Sequence, residues 1–289
     1  MRVLVLGSSG FLGKYIYFEL KKKFLVFSTG LKNRNINLTN FKHLEKLVLK
    51  SNPSIIINCS GLTDIEKCQK KVNYSNKINV ELLKNIFKIK NDKNINFKLI
   101  HFSSDQVYNP KKNKLSTENN NYNPINVYSM HKLKSEKICI KNNSLIFRLN
   151  ILGKSKSNKK SFSDWIFKNL VRKNEINGFI DSFYSPLNVT TISEIILKIL
   201  SSNKYKFKGI YNLGSKFGIS KYELIKSFGK KLKIFDEKLV KKQKINDICN
   251  TPRTKYNRLN VKKFEKKFNI KLPNTKTEII KLTKFYEKN

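Results

Sequence analysis

The chain has 289 residues, enough for one large domain or a domain with a smaller lobe, and its 39% hydrophobic content is low but sufficient for a sizeable core. Its 60 Lys+Arg against 20 Asp+Glu give a net charge of +40, but the lysines are spread over nearly the whole chain and gather into no tail or basic helix. That distribution argues for compositional drift and against a nucleic-acid partner, while a positive surface still favours an anionic nucleotide or sugar-nucleotide ligand.

No apolar run approaches the ~20 residues of a membrane span, so no membrane role is expected. The N-terminus lacks the long apolar region and cleavage site of a signal peptide. Cys59, Cys68, Cys139 and Cys249 form no CxxC or metal spacing, and His43, His101 and His131 are scattered. Reduced thiols, a cytoplasmic setting and no metal site are the expectation.

Met1 to Leu6 reads as a buried parallel strand. Gly7-Ser8-Ser9-Gly10-Phe11-Leu12-Gly13 follows, then an amphipathic stretch to about Lys23. Strand, glycine turn and helix in that order form a dinucleotide-binding signature: Gly7 for the turn, Gly10 for backbone approach to a pyrophosphate, Gly13 for helix packing. Phe24 to Ser28 reads as the second strand and ends without a carboxylate, with Lys32 and Arg34 close by. A ribose 2′-phosphate wants such cations, which tilts the cofactor from NADH towards NADPH.

A helix over about Asn40 to Leu49 precedes a third strand, Ser54 to Asn58, and then the small residues Cys59-Ser60-Gly61, which a cofactor can lie against. Asn79 sits inside the next helix, near Tyr74 to Lys90, and Phe97 to Phe102 is a fourth strand. The alternation of strand and helix implies an α/β architecture, a parallel sheet wrapped by helices, with chemistry at the carboxyl ends of its strands.

Ser103-Ser104-Asp105-Gln106-Val107-Tyr108 stands at the end of the fourth strand, where a hydroxyl can hydrogen-bond a substrate carbonyl. Beyond Asn123-Pro124 comes a helix with Tyr128 and Lys132. Four residues apart, they share one helix face, and an ammonium there favours the phenolate. The spacing recurs at Tyr17/Lys21, Tyr108/Lys112 and Tyr222/Lys226. Only Tyr128/Lys132 lies on a helix entered after a strand-end serine; Pro110 spoils the second of the other pairs.

Further on, Ser144 to Leu149 reads as a strand ending at Asn150, Lys154 to Lys160 as a polar loop, and Phe162 to Val171 as a helix. That helix carries the lone Trp165, expected in the core for its apolar payload. Gly209 to Leu213 reads as a strand and Ser220 as an N-cap. From Lys230 onward no chemical motif appears, and Arg253 reads first as a surface cation, with reach to a substrate diphosphate as the second reading.

Taken together, GSSGFLG, IIINCSGLTDIEKC, KINVELLKNI, HFSSDQVY, NPINVYSMHKLKSEK and DSFYSPLNVTTISEII resemble, in order, the motifs of the extended short-chain dehydrogenase/reductases. More closely they resemble the dTDP-4-dehydrorhamnose reductase family, over most of residues 1 to about 230. The resemblance implies a Rossmann-type doubly wound parallel sheet over 1–150, with 187–204 returning to it, and a smaller substrate-binding lobe from 151–186 and 205–289.

It also implies roles. Ser104, Tyr128 and Lys132 would be catalytic. Gly7, Ser9, Gly10, Phe11, Leu12, Gly13, Asn37, Leu38, Cys59, Ser60, Gly61, Asn79, Ser103, Tyr128 and Lys132 would bind NADPH or NADH. Ser104, Asp105, Val107 and Asn150 would bind a nucleotide-linked keto-sugar. Gln106 stands where related dehydratases carry a glutamate base, and Asp105 where epimerising relatives carry a cysteine, so plain reduction is implied. The first choice of reaction is dTDP-4-dehydro-L-rhamnose to dTDP-L-rhamnose, for surface polysaccharide synthesis. Reduction of another nucleotide-linked keto-sugar and a non-catalytic regulatory subunit of the same fold are the alternatives, and a homodimer is left open.

Overall fold

A computed structural model describes residues 1–29, 36–120, 122–157, 160–202 and 204–287. Its contacts group into two compact units. The first comprises residues 1–104, 126–147 and 193–210, the second 105–125, 148–192 and 211–289.

The first unit opens with β1 (Arg2–Leu6), α1 (Phe11–Lys21), β2 (Leu25–Ser28), α2 (Phe41–Ser51) and β3 (Ile55–Asn58). Then come α3 (Ile65–Lys70), α4 (Val72–Asn76), a π-helical turn over Lys77–Glu81, α5 (Leu82–Asp92), β4 (Lys98–Ser104), α6 (Val127–Lys141) and β5 (Leu145–Leu149). The apolar runs of β1 and β3 are buried on both faces, as central parallel strands require. β1 pairs in parallel with both β2 and β3, and β3 in parallel with β4.

The second unit's elements begin with β6 (Ile151–Leu152), α7 (Phe162–Val171), β7 (Ile176–Phe179), β8 (Phe183–Tyr184) and β9 (Leu187–Asn188). The chain continues through α8 (Val189–Ser201) and β10 (Gly209–Leu213), then β11 (Ile219–Ser220), α9 (Lys221–Lys231), β12 (Val240–Gln243) and α10 (Ile245–Ile248). It ends with β13 (Tyr256–Asn257), α11 (Lys262–Phe268) and α12 (Thr275–Thr283). The large sheet runs β2-β1-β3-β4-β5-β10, so the strand order reverses between β1 and β3. A ligand crevice belongs at that reversal, outside the carboxyl ends of the two strands.

One core of the first unit gathers Leu4, Leu6, Leu44, Val48, Ile56, Leu83, Ile86 and Ile146. In the second unit Tyr184, Tyr222, Leu224, Phe228, Ile279 and Tyr286 form another. Its C-terminal helix is tied in by a buried carboxylate: Glu278 accepts from the Asn188 backbone N–H and from Thr191 Oγ1 at 3.0 Å.

Three expectations change. Ser103 and Ser104 belong to β4 itself, which extends two residues further than its apolar run. Trp165 is 41% exposed and stacks on Phe162 at 5.8 Å, so it is no core residue. Tyr108 is a buried anchor of the second unit: its hydroxyl donates to Asn212 Oδ1 at 2.9 Å and accepts from Arg148 Nη1 at 2.6 Å. Lys32 and Arg34, which carried the tilt to NADPH, lie outside the described residues.

The tightest contact in the first turn is at Gly13. A Cβ there would sit 2.2 Å from the Gly7 carbonyl oxygen, a backbone atom that cannot swing away. Gly13→Ala is therefore expected to cost about 1–3 kcal/mol, as overpacking does, read as a lower thermal midpoint by circular dichroism. An unchanged midpoint would show that α1 sits further from the β1 turn than described.

Candidate functional site

Two loops face each other at the strand reversal. The turn after β1 closes with Gly10 N–H donating to Gly7 O at 3.0 Å, and Gly7 takes φ +75°. A Cβ on Gly7 would meet Ser60 N at 2.7 Å, so only glycine allows the first loop to lie on the Cys59-Ser60 backbone. The end of β2 braces the turn: Gly7 N–H donates to Thr29 Oγ1 at 2.9 Å, and Ser8 Oγ donates to the Thr29 carbonyl.

Helix α1 starts from Gly10 with no side-chain cap and no acidic residue in its first turn. Its first amide groups, from Phe11, Leu12 and Gly13, have no partner within the helix, and the positive end of its dipole is unneutralised. An oxygen-rich anion meets both needs, so these residues fit the pyrophosphate of a dinucleotide. Ser9 lies on the same turn. Asn37 and Leu38 are used differently: the Asn37 side chain accepts from Thr39 N at 2.9 Å, and Leu38 packs on the core.

The second loop is set by two asparagines. Asn58 Oδ1 accepts from Ser60 N at 3.0 Å. Asn79 pairs its amide with both backbone groups of Leu62, each at 3.0 Å, and donates to Ser75 Oγ at 3.2 Å. Asn79 rides on the π-helical turn, an irregularity that reaims its side chain at the loop instead of leaving it on the helix face. Ser75 in turn bonds His131 Nδ1 at 2.8 Å. Asn79 thus holds the Gly61-Leu62 backbone in place, and an ideal Cβ at Gly61 would lie 3.6 Å from Lys132 Nζ.

Helix α6 carries Tyr128 and Lys132. It begins with a capping box, in which Asn126 Oδ1 accepts from Ser129 N and Ser129 Oγ accepts from Asn126 N. Gln69 Oε1 also accepts from Val127 N, at 3.2 Å. The cap fixes where the first turn starts and so the direction of Tyr128. Lys132 is 4% exposed; its Nζ donates to Phe102 O at 2.9 Å and stands 6.0 Å from the Tyr128 ring centroid. Burial pulls Lys132 down to about 8, opposed first by Glu136.

Ser104 is buried at the end of β4, and Ser103 beside it donates to Glu136 Oε1 at 2.5 Å. Burial, helped by the Lys132 charge, holds His101 well below its usual value, so it is a neutral ring bonded to Ser135 Oγ. Burial likewise pushes the Cys59 thiol up.

Ser104, Tyr128, Lys132, Asn79 and the two loops therefore belong to one unit, at the carboxyl ends of β1, β3 and β4. The residues expected to meet substrate lie in the second unit, apart from Ser104. There Asp105 is fully buried and accepts from Asn150 Nδ2 at 3.2 Å. Val107 is fully buried in the same turn. Gln106 is occupied: its Oε1 accepts from Thr254 Oγ1 at 3.0 Å.

Sequence reasoning missed Glu136, Ser75, Gln69 and the Asn126 cap. Glu136 had a signal, an acid one turn beyond Lys132 on the same helix face, in a chain with few acids.

The chain was compared with known proteins. The chain is 23% identical over 292 residues to the dTDP-4-dehydrorhamnose reductase of Escherichia coli (strain K12), covering 94% of each. It is 25% identical over 233 residues to the GDP-6-deoxy-D-talose 4-dehydrogenase of Aggregatibacter actinomycetemcomitans, covering 78% of each. Its fold superposes with a TM-score of 0.87 on the dTDP-4-dehydrorhamnose reductase of Bacillus anthracis str. Ames solved in complex with NADP, at 20% identity, covering 97% of this chain and 98% of that one. The model of the RmlD substrate binding domain matches residues 1–287, and the chain belongs to that family, within the extended short-chain dehydrogenase/reductases.

Proposed function

We propose that the chain reduces the 4-keto group of a nucleotide-linked 6-deoxy sugar, with dTDP-4-dehydro-L-rhamnose as first-choice substrate and dTDP-L-rhamnose as product. The observation that carries this reading is Tyr128 on α6, one helical turn from the buried Lys132, in the same unit as Ser104 at the end of β4. The family supports an NAD(P)H-dependent oxidoreductase acting on sugar nucleotides. The choice of sugar and nucleotide is ours, since relatives of similar identity act on both dTDP and GDP sugars by their names.

In this reading the first unit takes the cofactor. The α1 amide groups would hold its pyrophosphate, with the Cys59-Ser60-Gly61 loop beside them. Bound NADPH would supply a hydride for the ketone carbon. Ser104 Oγ donates a hydrogen bond to the ketone oxygen and polarises it. Tyr128 gives its phenolic proton to that oxygen as the C–H bond forms, so the ketone becomes an alcohol and Tyr128 is left as phenolate. The Lys132 ammonium stabilises that phenolate, and its bond to Phe102 O keeps it near Tyr128. Asp105 and Asn150 present a hydrogen-bonded pair for the sugar hydroxyls.

Dehydration is not part of this reading, because the Gln106 amide cannot take a proton and is already tied to Thr254. The absence of any helix long and apolar enough to cross a membrane, among the described residues, fits a cytoplasmic site of action.

The test is NADPH oxidation by the purified chain with a panel of nucleotide-linked 4-keto sugars. Tyr128→Phe is expected to lower kcat about 10²–10⁴-fold, the usual worth of a positioned proton donor. Unchanged activity in that variant, or no oxidation with any sugar, would sink the mechanism, and the second result would favour a non-catalytic subunit. Ser104→Ala is expected to lose about 10²–10³ in kcat with little change in KM, as removal of a donor to a developing oxyanion does. A change confined to KM would make Ser104 a binding group only.

The pH profile follows from Lys132. Its proton leaves as pH rises through about 8, so the rate should fall on the alkaline side of that value. The Lys132→Met variant should lose that limb as well as activity. A wild-type rate still flat well above pH 8 would show that the ammonium charge is not needed.

A further inference from the structure

We propose that Glu136 is a positioning residue for this site: its buried carboxylate keeps the Lys132 ammonium charged and, through Ser103, fastens α6 to the end of β4. The consequence for turnover rests on the reductase reading above; the effect on Lys132 itself does not.

Three observations carry it. First, Glu136 lies one turn beyond Lys132 on α6, and both are almost completely buried, at 1% and 4% exposure. A lone carboxylate or ammonium in such a place costs several kcal/mol by loss of hydration, and acids are seldom so buried without a partner. Second, the carboxylate is directed to the site and away from solvent, since Ser103 Oγ donates to it at 2.5 Å. Ser103 adjoins Ser104, and Phe102, whose carbonyl holds Lys132 Nζ, precedes it. Glu136 and Lys132 thus grip the same three-residue end of β4 from one helix.

Third, Glu136 is the strongest of the groups that favour the Lys132 charge, and it is the one carboxylate among the described neighbours. The others are Tyr128 and Cys139 on α6, Cys68 on α3, Cys59 after β3 and His101 on β4. Burial pushes Cys59 and Cys139 up, so both thiols keep their protons. His101 is neutral, and any charge on it would add to that of Lys132. Glu136 is the carboxylate of the set.

The inference separates two jobs that a single deletion would mix. Glu136→Gln keeps an oxygen to accept from Ser103 and removes only the charge. Ser103→Ala keeps the charge and removes the latch. The readout is the titration of Lys132 in the full chain without substrate, followed by NMR of lysine labelled with ¹³C at the ε carbon and assigned with Lys132→Met. Glu136→Gln is expected to lower the Lys132 midpoint by about one unit or more, as loss of a nearby opposite charge does. Ser103→Ala should leave that midpoint in place.

An unchanged midpoint in Glu136→Gln overturns the proposal. Should that variant not fold, Glu136→Asp draws the charge back by one methylene and must still lower the midpoint; the same midpoint there overturns it equally. In turnover, the alkaline limb of kcat/KM should shift down with the Lys132 midpoint in Glu136→Gln. Because the titration needs no substrate, a shifted midpoint with no keto-sugar turned over would defeat the reductase reading and leave this inference standing.

Discussion

A dry ammonium is the constraint on which the first unit is built. Lys132 is a cation buried beneath a helix, and a cation out of water persists only with hydrogen-bond partners and opposite charge close by. The Phe102 carbonyl supplies one, and that fixes the distance between α6 and β4. The same burial serves chemistry. It brings Lys132 to about 8, near working pH, and in a medium of low dielectric its field on Tyr128 is stronger than it would be in water. A surface lysine at the same helical spacing does neither, which is why the other Tyr/Lys pairs of this chain carry no comparable meaning.

The rest of the site is backbone held in place by two amides and a hydroxyl. Asn58 fixes Ser60, and Asn79 fixes Leu62. Thr29 fixes Gly7. None of these side chains has to touch a ligand to matter: each satisfies a loop's buried N–H or C=O group, which would otherwise favour a different loop shape. Gly7 then permits the two loops to meet, and the uncapped start of α1 is left directed at the space between β1 and β3. Neutral amides suit this purpose better than carboxylates, which would repel an anionic cofactor.

Much of this was legible in the sequence, and for reasons that can be named. Short apolar runs gave β1 and β3 because a strand buried on both faces has little room for polar residues. The glycine turn gave the crevice because its chemistry depends on local backbone. Tyr128 and Lys132 needed only helical spacing and order along the chain. What was not legible depends on contacts distant in sequence. Asn79 reads locally only as an asparagine inside a helix, because nothing local says that a π-helical turn reaims it at Leu62, 17 residues back. Tyr108 resembled a weak member of a Tyr/Lys series, while its real partners, Arg148 and Asn212, are 40 and 104 residues away. Trp165 followed the usual burial of tryptophan and departed from it, because Phe162, one helical turn earlier, gives it a surface to stack on.

The distribution of carboxylates narrows the chemistry further. A reaction that removes a proton from carbon needs a base of suitable strength within reach of that carbon. At the end of β4 the chain offers Asp105, which is fully buried and bonded to Asn150, and Gln106, an amide with no basic site. Glu136 faces Ser103 inside the first unit, where by our inference it balances Lys132. Asp105 and Glu136 therefore each already hold a hydrogen-bond partner. In the proposed reaction the proton comes from the Tyr128 hydroxyl, and a single phenol beside a cation suits the delivery of one proton to one oxygen. That is the requirement of a carbonyl reduction, and the proposed mechanism asks no other side chain at the end of β4 to change its protonation state.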